Sequence, residues 1–335
     1  MNQTKPMTAL AALSLAAMAW AGPAAALDCG SAGTVTIAEM TWLSAATLAH
    51  VTQHILKDGY GCDAQLVPGD TVPTASSMLA RSQPTIAPEL WVSTVQAAWD
   101  QMQAKGTVYK ASDIFASGGQ DGLWVPDYVL ADHPEIKGIE DLKANWQIFE
   151  DAQNPGKGRL YNGPPGWASE VIIGNYYKAL GLGDSYELFS PGSGENLKAS
   201  IARAVAQKKP WVGYYWGPSD VVGKYHMVRL GMPDSDKAKF TCLTDANCTD
   251  PQVTGWAAGE VAVAVVSSLK EQAPAVAEFL GKMQVPNQEI SDVLAWGDDN
   301  GATSEETAVH FLKEYPQLWT PWVPAEVAAK VKAAL

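Results

Sequence analysis

The chain has 335 residues, with 36 acidic against 23 basic side chains and a formal net charge of −13. That balance argues against a nucleic-acid-binding role. Beyond the N-terminal region no stretch offers the ~18 uninterrupted apolar residues of a membrane-spanning helix.

In chain order, residues 1–26 read as a secretory signal. Lys5 supplies the positive end, Met7 to Trp20 is an apolar run, and Ala24, Ala25 and Ala26 fit a small-residue cleavage site before Leu27. A lipoprotein anchor needs a Cys at the cleavage point, and Cys29 lies downstream without a lipobox. The expected product is an exported, unanchored, monomeric chain in the periplasm, long enough for two domains. Its four cysteines, Cys29, Cys62, Cys242 and Cys248, form an even set that suits an oxidising compartment. Of the three possible pairings the reading favours Cys29–Cys62 with Cys242–Cys248, the second closing a short turn-like loop. A zinc site is the competing reading, unsupported by any Cys-x-x-Cys pair or neighbouring His.

Val35 to Ala38 predicts a buried strand, Ser44 to Leu56 a helix ending at Gly59 and Gly61, and Cys62 to Val67 a second strand. Strand, helix, strand in succession implies an α/β unit with a parallel sheet. A short helix over Thr74 to Ser82 and a strand over Ile86 to Trp91 follow. Helices are expected at Gly138 to Leu142, Ser169 to Leu180 and Glu195 to Gln207, then a strand at Pro210 to Trp216. The pattern returns to β near Val253 and again over Val261 to Val266. Four helices close the chain: Ala273 to Met283, Asn287 to Ala295, Ser304 to Glu314 and Pro324 to Ala334. Crossovers near residues 121–128 and 251–258 divide the chain into lobe I, residues 27–123 and 252–335, and lobe II, residues 124–251.

Tryptophan outnumbers phenylalanine, 13 to 6, and several Trp residues sit in turn-rich segments. These are Trp42, Trp91, Trp167 in Gly163-Pro164-Pro165-Gly166-Trp167, and Trp216 in Tyr214-Tyr215-Trp216-Gly217. A core takes its bulk from Leu, Ile and Phe, because a buried indole N–H wants a partner. Indole faces attract a soft cation that has no N–H donors, which points to an aromatic cage for a methylated ammonium compound. Strand alternation sets Tyr214 on the same face as Trp216 and leaves Tyr215 for the core. Trp124 and Trp256 are read as packing residues. Glu89 and Glu170, beside the cage motifs, are read as positioning their loops through hydrogen bonds.

Three motifs, Glu89-Leu90-Trp91, Gly163 to Ser169, and Lys209 to Pro218, resemble the glycine-betaine and proline-betaine binding proteins of ABC importers, the OpuAC and ProX type. The resemblance covers essentially the whole mature chain. It implies a type II periplasmic-binding-protein fold, two α/β lobes joined by a hinge, with Trp91 on the first lobe and Trp167 and Trp216 on the second. It also implies that the backbone N–H groups of Ala168 and Ser169, at a helix start, hold the ligand's anionic end. Two positions depart from the family pattern. Val95 stands where some betaine binders carry a carboxylate-contacting His, and Ser44 stands where choline binders carry an acid, which argues against choline.

The expected ligand is glycine betaine, with proline betaine, trimethylamine N-oxide and dimethylsulfoniopropionate as alternatives, held by Trp91, Trp167, Trp216, Trp42, Ala168, Ser169 and Tyr214. A permease and an ATPase would be separate chains, since no Walker motif is present. No cofactor, metal site or catalytic constellation is expected. Ser193 in Pro191-Gly192-Ser193-Gly194 is not a nucleophile elbow, and the five His residues lack metal spacing. The competing class is an exported carbohydrate-binding protein or hydrolase, since Trp also stacks on sugar faces. It requires paired carboxylates, for which Glu89 and Glu170 are the candidates.

Overall fold

The computed structural model describes Met1, residues 28–256 and residues 259–335. The expected signal segment lies, Met1 apart, outside the described residues. Eleven strands are described: β1 Val35–Met40, β2 Ala64–Gly69, β3 Ile86–Trp91, β4 Val108–Asp113, β5 Gln120–Pro126, β6 Glu150–Asp151, β7 Asn154–Tyr161, β8 Tyr186–Phe189, β9 Gly213–Gly217, β10 Met227–Arg229 and β11 Val261–Val266.

They form two sheets with helices packed around each. One has the order β2-β1-β3-β11-β4, the other β10-β5-β9-β7-β6 with β8 paired to β7. β1 runs parallel to β2 and β3, as the strand–helix–strand pattern implies. β11 instead enters antiparallel between β3 and β4. Its unbroken run Val261-Ala262-Val263-Ala264-Val265-Val266 suits that central place, because both faces are covered and every residue is buried. The second sheet is also mixed, with β5 antiparallel to both β9 and β10.

The chain changes sheets twice. β5 lies wholly within the second sheet, so the first crossing falls between Asp113 and Gln120, ahead of the expected 123/124 boundary and of the expected 121–128 crossover. The return crossing runs into Gly259, and the two segments meet in one antiparallel bridge, Gly119 N–H donating to Gly259 carbonyl at 2.8 Å. The strand expected from Val253 onward does not form over the described residues 253–256.

Both favoured disulfides are present, Cys29–Cys62 and Cys242–Cys248, each with Cα atoms 5.3 Å apart. The first fastens the N-terminal segment beside the start of β2. Among the described residues no helix is long and apolar enough to cross a membrane.

Candidate functional site

Between the sheets lies a tight cavity of about 20 Å3. It is lined by Trp42, Trp91, Trp167, Ala168, Ser169, Tyr214 and Trp216, together with Thr71, Thr94 and Asp121. All seven residues singled out in the sequence therefore face one space. Trp91 ends β3 of the first sheet and Trp42 precedes the helix Leu43–His54 beside it. Trp216 and Tyr214 come from β9 of the second sheet, and Trp167 precedes the helix Ala168–Ala179.

The aromatic walls stand nearly at right angles. The Trp167 ring is 5.5 Å from Trp42 at 74° and 5.0 Å from Trp216 at 82°. Tyr214 lies 6.1 Å from Trp216 and within 20° of parallel to it. Such a corner presents several π faces to one small volume, the arrangement a diffuse cation prefers over a flat sugar ring.

Hydrogen bonds hold the rings in these orientations. Glu89 is fully buried behind the first wall. Its Oε1 accepts from Trp42 Nε1 at 2.6 Å, Trp91 Nε1 at 3.0 Å and Ser44 Oγ at 3.0 Å. The position where Ser44 replaces an acid is thus wired to an acid from β3. Trp167 Nε1 donates to Thr41 Oγ1 across the cleft at 3.0 Å. Burial pushes the Glu89 carboxyl up to about 7, with the three donors pulling the other way.

The turn before Trp167 follows from its residues. Gly166 has φ +88°, a left-handed conformation that suits glycine. Its N–H donates to Glu170 Oε2 at 3.3 Å, so Glu170 ties the loop, as its place in the sequence suggested. Trp167 is extended and no side chain caps the helix, which leaves the N-terminal amides of Ala168 and Ser169 without a capping acceptor. The Ser169 hydroxyl is buried without a partner among the described residues.

Asp121 was not anticipated. It sits on β5 opposite Trp216 in the ladder, and its Oδ1 accepts from Tyr214 Oη at 2.7 Å. Its Oδ2 is buried with no hydrogen-bond partner among the described residues. Burial raises this carboxyl to about 7, against the Tyr214 hydrogen bond and the more distant Arg229 charge. Only the β5–β9 pairing brings Asp121 to the cavity, and that pairing joins residues 95 positions apart at its Asp121↔Trp216 register. Thr71 and Thr94 were also missed, although Thr94 is local to Trp91, its Oγ1 donating to the Trp91 carbonyl at 2.7 Å.

Other expectations fall outside the cavity. Val95 is buried in the turn Val92–Val95, off the cavity wall. Trp124 is buried on β5, and Trp256 stacks on Tyr214 and Tyr176 behind the wall. Tyr215 is buried but borders a second small space, which Trp42 and Trp216 also line. Ser193 caps the helix Gly194–Ala206, accepting from Asn196 N–H. Glu89 and Glu170 do not flank an open groove, which removes the carboxylate pair that a glycosidase reading required. No cluster of metal-ligating side chains occurs among the described residues.

Comparison with known proteins bears on this architecture. The family model for the substrate binding domain of ABC-type glycine betaine transport systems matches residues 33–314. The trimethylamine N-oxide-binding protein of Pelagibacter ubique (strain HTCC1062) is 25% identical over 323 residues, covering 95% of this chain and 99% of that protein. Among solved structures, the glycine betaine/L-proline-binding protein ProX from Borrelia burgdorferi superposes with a TM-score of 0.67 at 16% identity, over 89% of this chain and 99% of that one. Lactococcal OpuAC, in a closed conformation complexed with glycine betaine, gives 0.64 at 18% identity, over 87% and 100%. These two structures share the type II periplasmic-binding-protein fold. A matched core that spans both sheets and all of the cavity's walls leaves one assignment: the chain belongs to the OpuAC family, the substrate-binding domains of ABC-type glycine betaine transport systems.

Proposed function

We propose that this chain captures a small methylated ammonium osmolyte between its two sheets and presents it, on the periplasmic side, to the permease and ATPase of an ABC importer. The observation that carries the reading is the aromatic corner built from both halves: Trp42 and Trp91 from one, Trp167, Trp216 and Tyr214 from the other. A trimethylammonium head has a diffuse charge, no N–H donors and an apolar methyl shell, so its desolvation is cheaper than that of a lysine-type ammonium. Each desolvated indole face contributes about 0.5–2 kcal/mol. Several faces together reach the range of micromolar capture. Because the walls come from opposite sheets, ligand bridges them and shifts the population toward a closed form. The two sheets are proposed as the two lobes, joined through the crossings at Gly119 and Gly259. The role is binding and delivery; no residue is assigned a chemical step.

The test is a calorimetric titration of the mature chain, paralleled by tryptophan fluorescence, with glycine betaine, proline betaine, choline, trimethylamine N-oxide and dimethylsulfoniopropionate. At least one is expected to bind at micromolar Kd or tighter, with Trp216→Ala weakening it more than tenfold. Absence of binding by every compound overturns the reading.

A further inference from the structure

We propose that Asp121 reads the polar end of the ligand, and that the ligand is a trimethylated amine ending in a single oxygen, a hydroxyl or an N-oxide, rather than in a carboxylate. This rests on the cage reading and narrows it.

Asp121 is 2% exposed and lines the cavity. One oxygen is engaged by Tyr214, while Oδ2 is buried without a partner. A buried, unsatisfied acceptor is costly, and no described residue on the protein side of this wall relieves it. A donor entering the cavity, a ligand group in place of water, supplies the partner. Charge decides what kind. Among the described residues, none that lines the cavity is Lys, Arg or His. The charged or titratable groups that act on Asp121 are Tyr214 on β9, Tyr176 on the helix Ala168–Ala179 and Arg229 on β10. Both phenols stay protonated, and Arg229 Nη1 is hydrogen-bonded to the Asp121 backbone carbonyl at 3.2 Å.

A ligand carboxylate set against ionised Asp121 would meet like charge in a dry space, with the buried Glu89 adding to the same potential from behind Trp42 and Trp91. A hydroxyl escapes that conflict, because it donates to ionised Asp121 and accepts from the free amides of Ala168 and Ser169. An N-oxide oxygen accepts from the protonated acid, as a carboxylate also could, but brings no net negative charge to a wall already backed by Glu89. Burial sets the carboxyl near 7, so both forms are accessible around neutral pH. The expectation that choline binds weakly, drawn from Ser44, considered a different acid position.

The experiment is calorimetry of the mature chain with choline, trimethylamine N-oxide and glycine betaine between about pH 6 and pH 8, repeated on Asp121→Asn. At pH 8 at least one single-oxygen ligand is expected to bind tenfold or more tighter than glycine betaine. Choline should tighten as pH rises and the N-oxide as pH falls, which tells the two apart. Asp121→Asn should flatten both trends and narrow the gap to betaine. Glycine betaine as the tightest ligand at pH 8, or a ranking and pH slopes unchanged in Asp121→Asn, overturns the inference. If that variant fails to fold, the wild-type ranking and slopes decide alone. Failure of all three compounds to bind would instead sink the cage reading itself.

Discussion

At the residue scale the site is governed by where two carboxylates are buried. Glu89 and Asp121 both have folded-state pKa values near 7, raised first by burial. Unfolded, each would titrate near the ordinary carboxylate value of about 4. Between those limits the folded chain holds protons that the unfolded chain has released. Stability therefore falls as pH rises from about 4.5 to about 7, and then levels. Each group contributes on the order of 3 kcal/mol to that slope. The unliganded protein is thus expected to melt at a higher temperature at pH 5.5 than at pH 8, unlike a protein whose acids are salt-bridged. Glu89→Gln should remove part of the slope, since its amide oxygen can still accept from Trp42 and Trp91 without carrying charge. Calorimetric melts of both proteins across that range check it; an unchanged slope in the variant would show that Glu89 is not the titrating group.

Secondary-structure elements set how close these residues can come, and the decisive element is the pair of crossings. A Cβ on Gly119 would lie 2.2 Å from Trp91 Cζ3, 2.4 Å from its Cη2 and 3.0 Å from Val261 Cγ2. The indole cannot retreat, because its N–H is fixed on Glu89 and its ring packs on Phe115. Gly119→Ala should therefore cost about 1–3 kcal/mol of stability, as overpacking does, and weaken ligand binding by displacing a cage face. Thermal melts with parallel titration test this, and a variant that binds and melts like the parent would show that Trp91 yields freely.

The same elements explain what could be read from the chain in advance. The tryptophans that line the cavity announce themselves because each sits in a local motif, and β3 and the helix Ser304–Glu314 fall where the hydrophobic pattern puts them. β7 was not expected, because Pro155, Gly156 and Gly158 weaken its strand signal. The antiparallel entry of β11 and the pairing that delivers Asp121 were out of reach for another reason. Both depend on partners far along the chain, which no local window contains.

On the scale of the whole molecule, the proposed closure has a second contact besides the proposed cage. The helix Asn287–Asn300, which packs on both the helix Ser304–Glu314 and the helix Asp220–Lys224, carries Asp298 and Asp299 in its last turn. Two acids at a helix C-terminus oppose the helix dipole. They meet two cations, Lys198 on the helix Gly194–Ala206 and Lys224 at the end of the helix Asp220–Lys224. Lys224 Nζ lies 2.6 Å from an oxygen of each Asp, and Lys198 bridges Asp298 to Asp220. Burial opposes ionisation of Asp298, yet the two ammonium groups hold its carboxyl below the usual range. In the proposed clamp, parting the two sheets would strip these charges of their partners, so the cluster would favour the closed form and through it the ligand. The more exposed Lys224–Asp299 pair should be screened by salt, while the Lys198–Asp298 pair, with both side chains under a fifth exposed, should persist. Asp298→Asn is accordingly expected to raise the ligand Kd roughly three- to tenfold at low ionic strength, an effect of the size of one to two ion pairs. It should also flatten the salt dependence, because the charge at the centre of the cluster is gone. Titrations of parent and variant from low to molar NaCl measure both quantities, and identical curves would mean that closure draws nothing from this cluster.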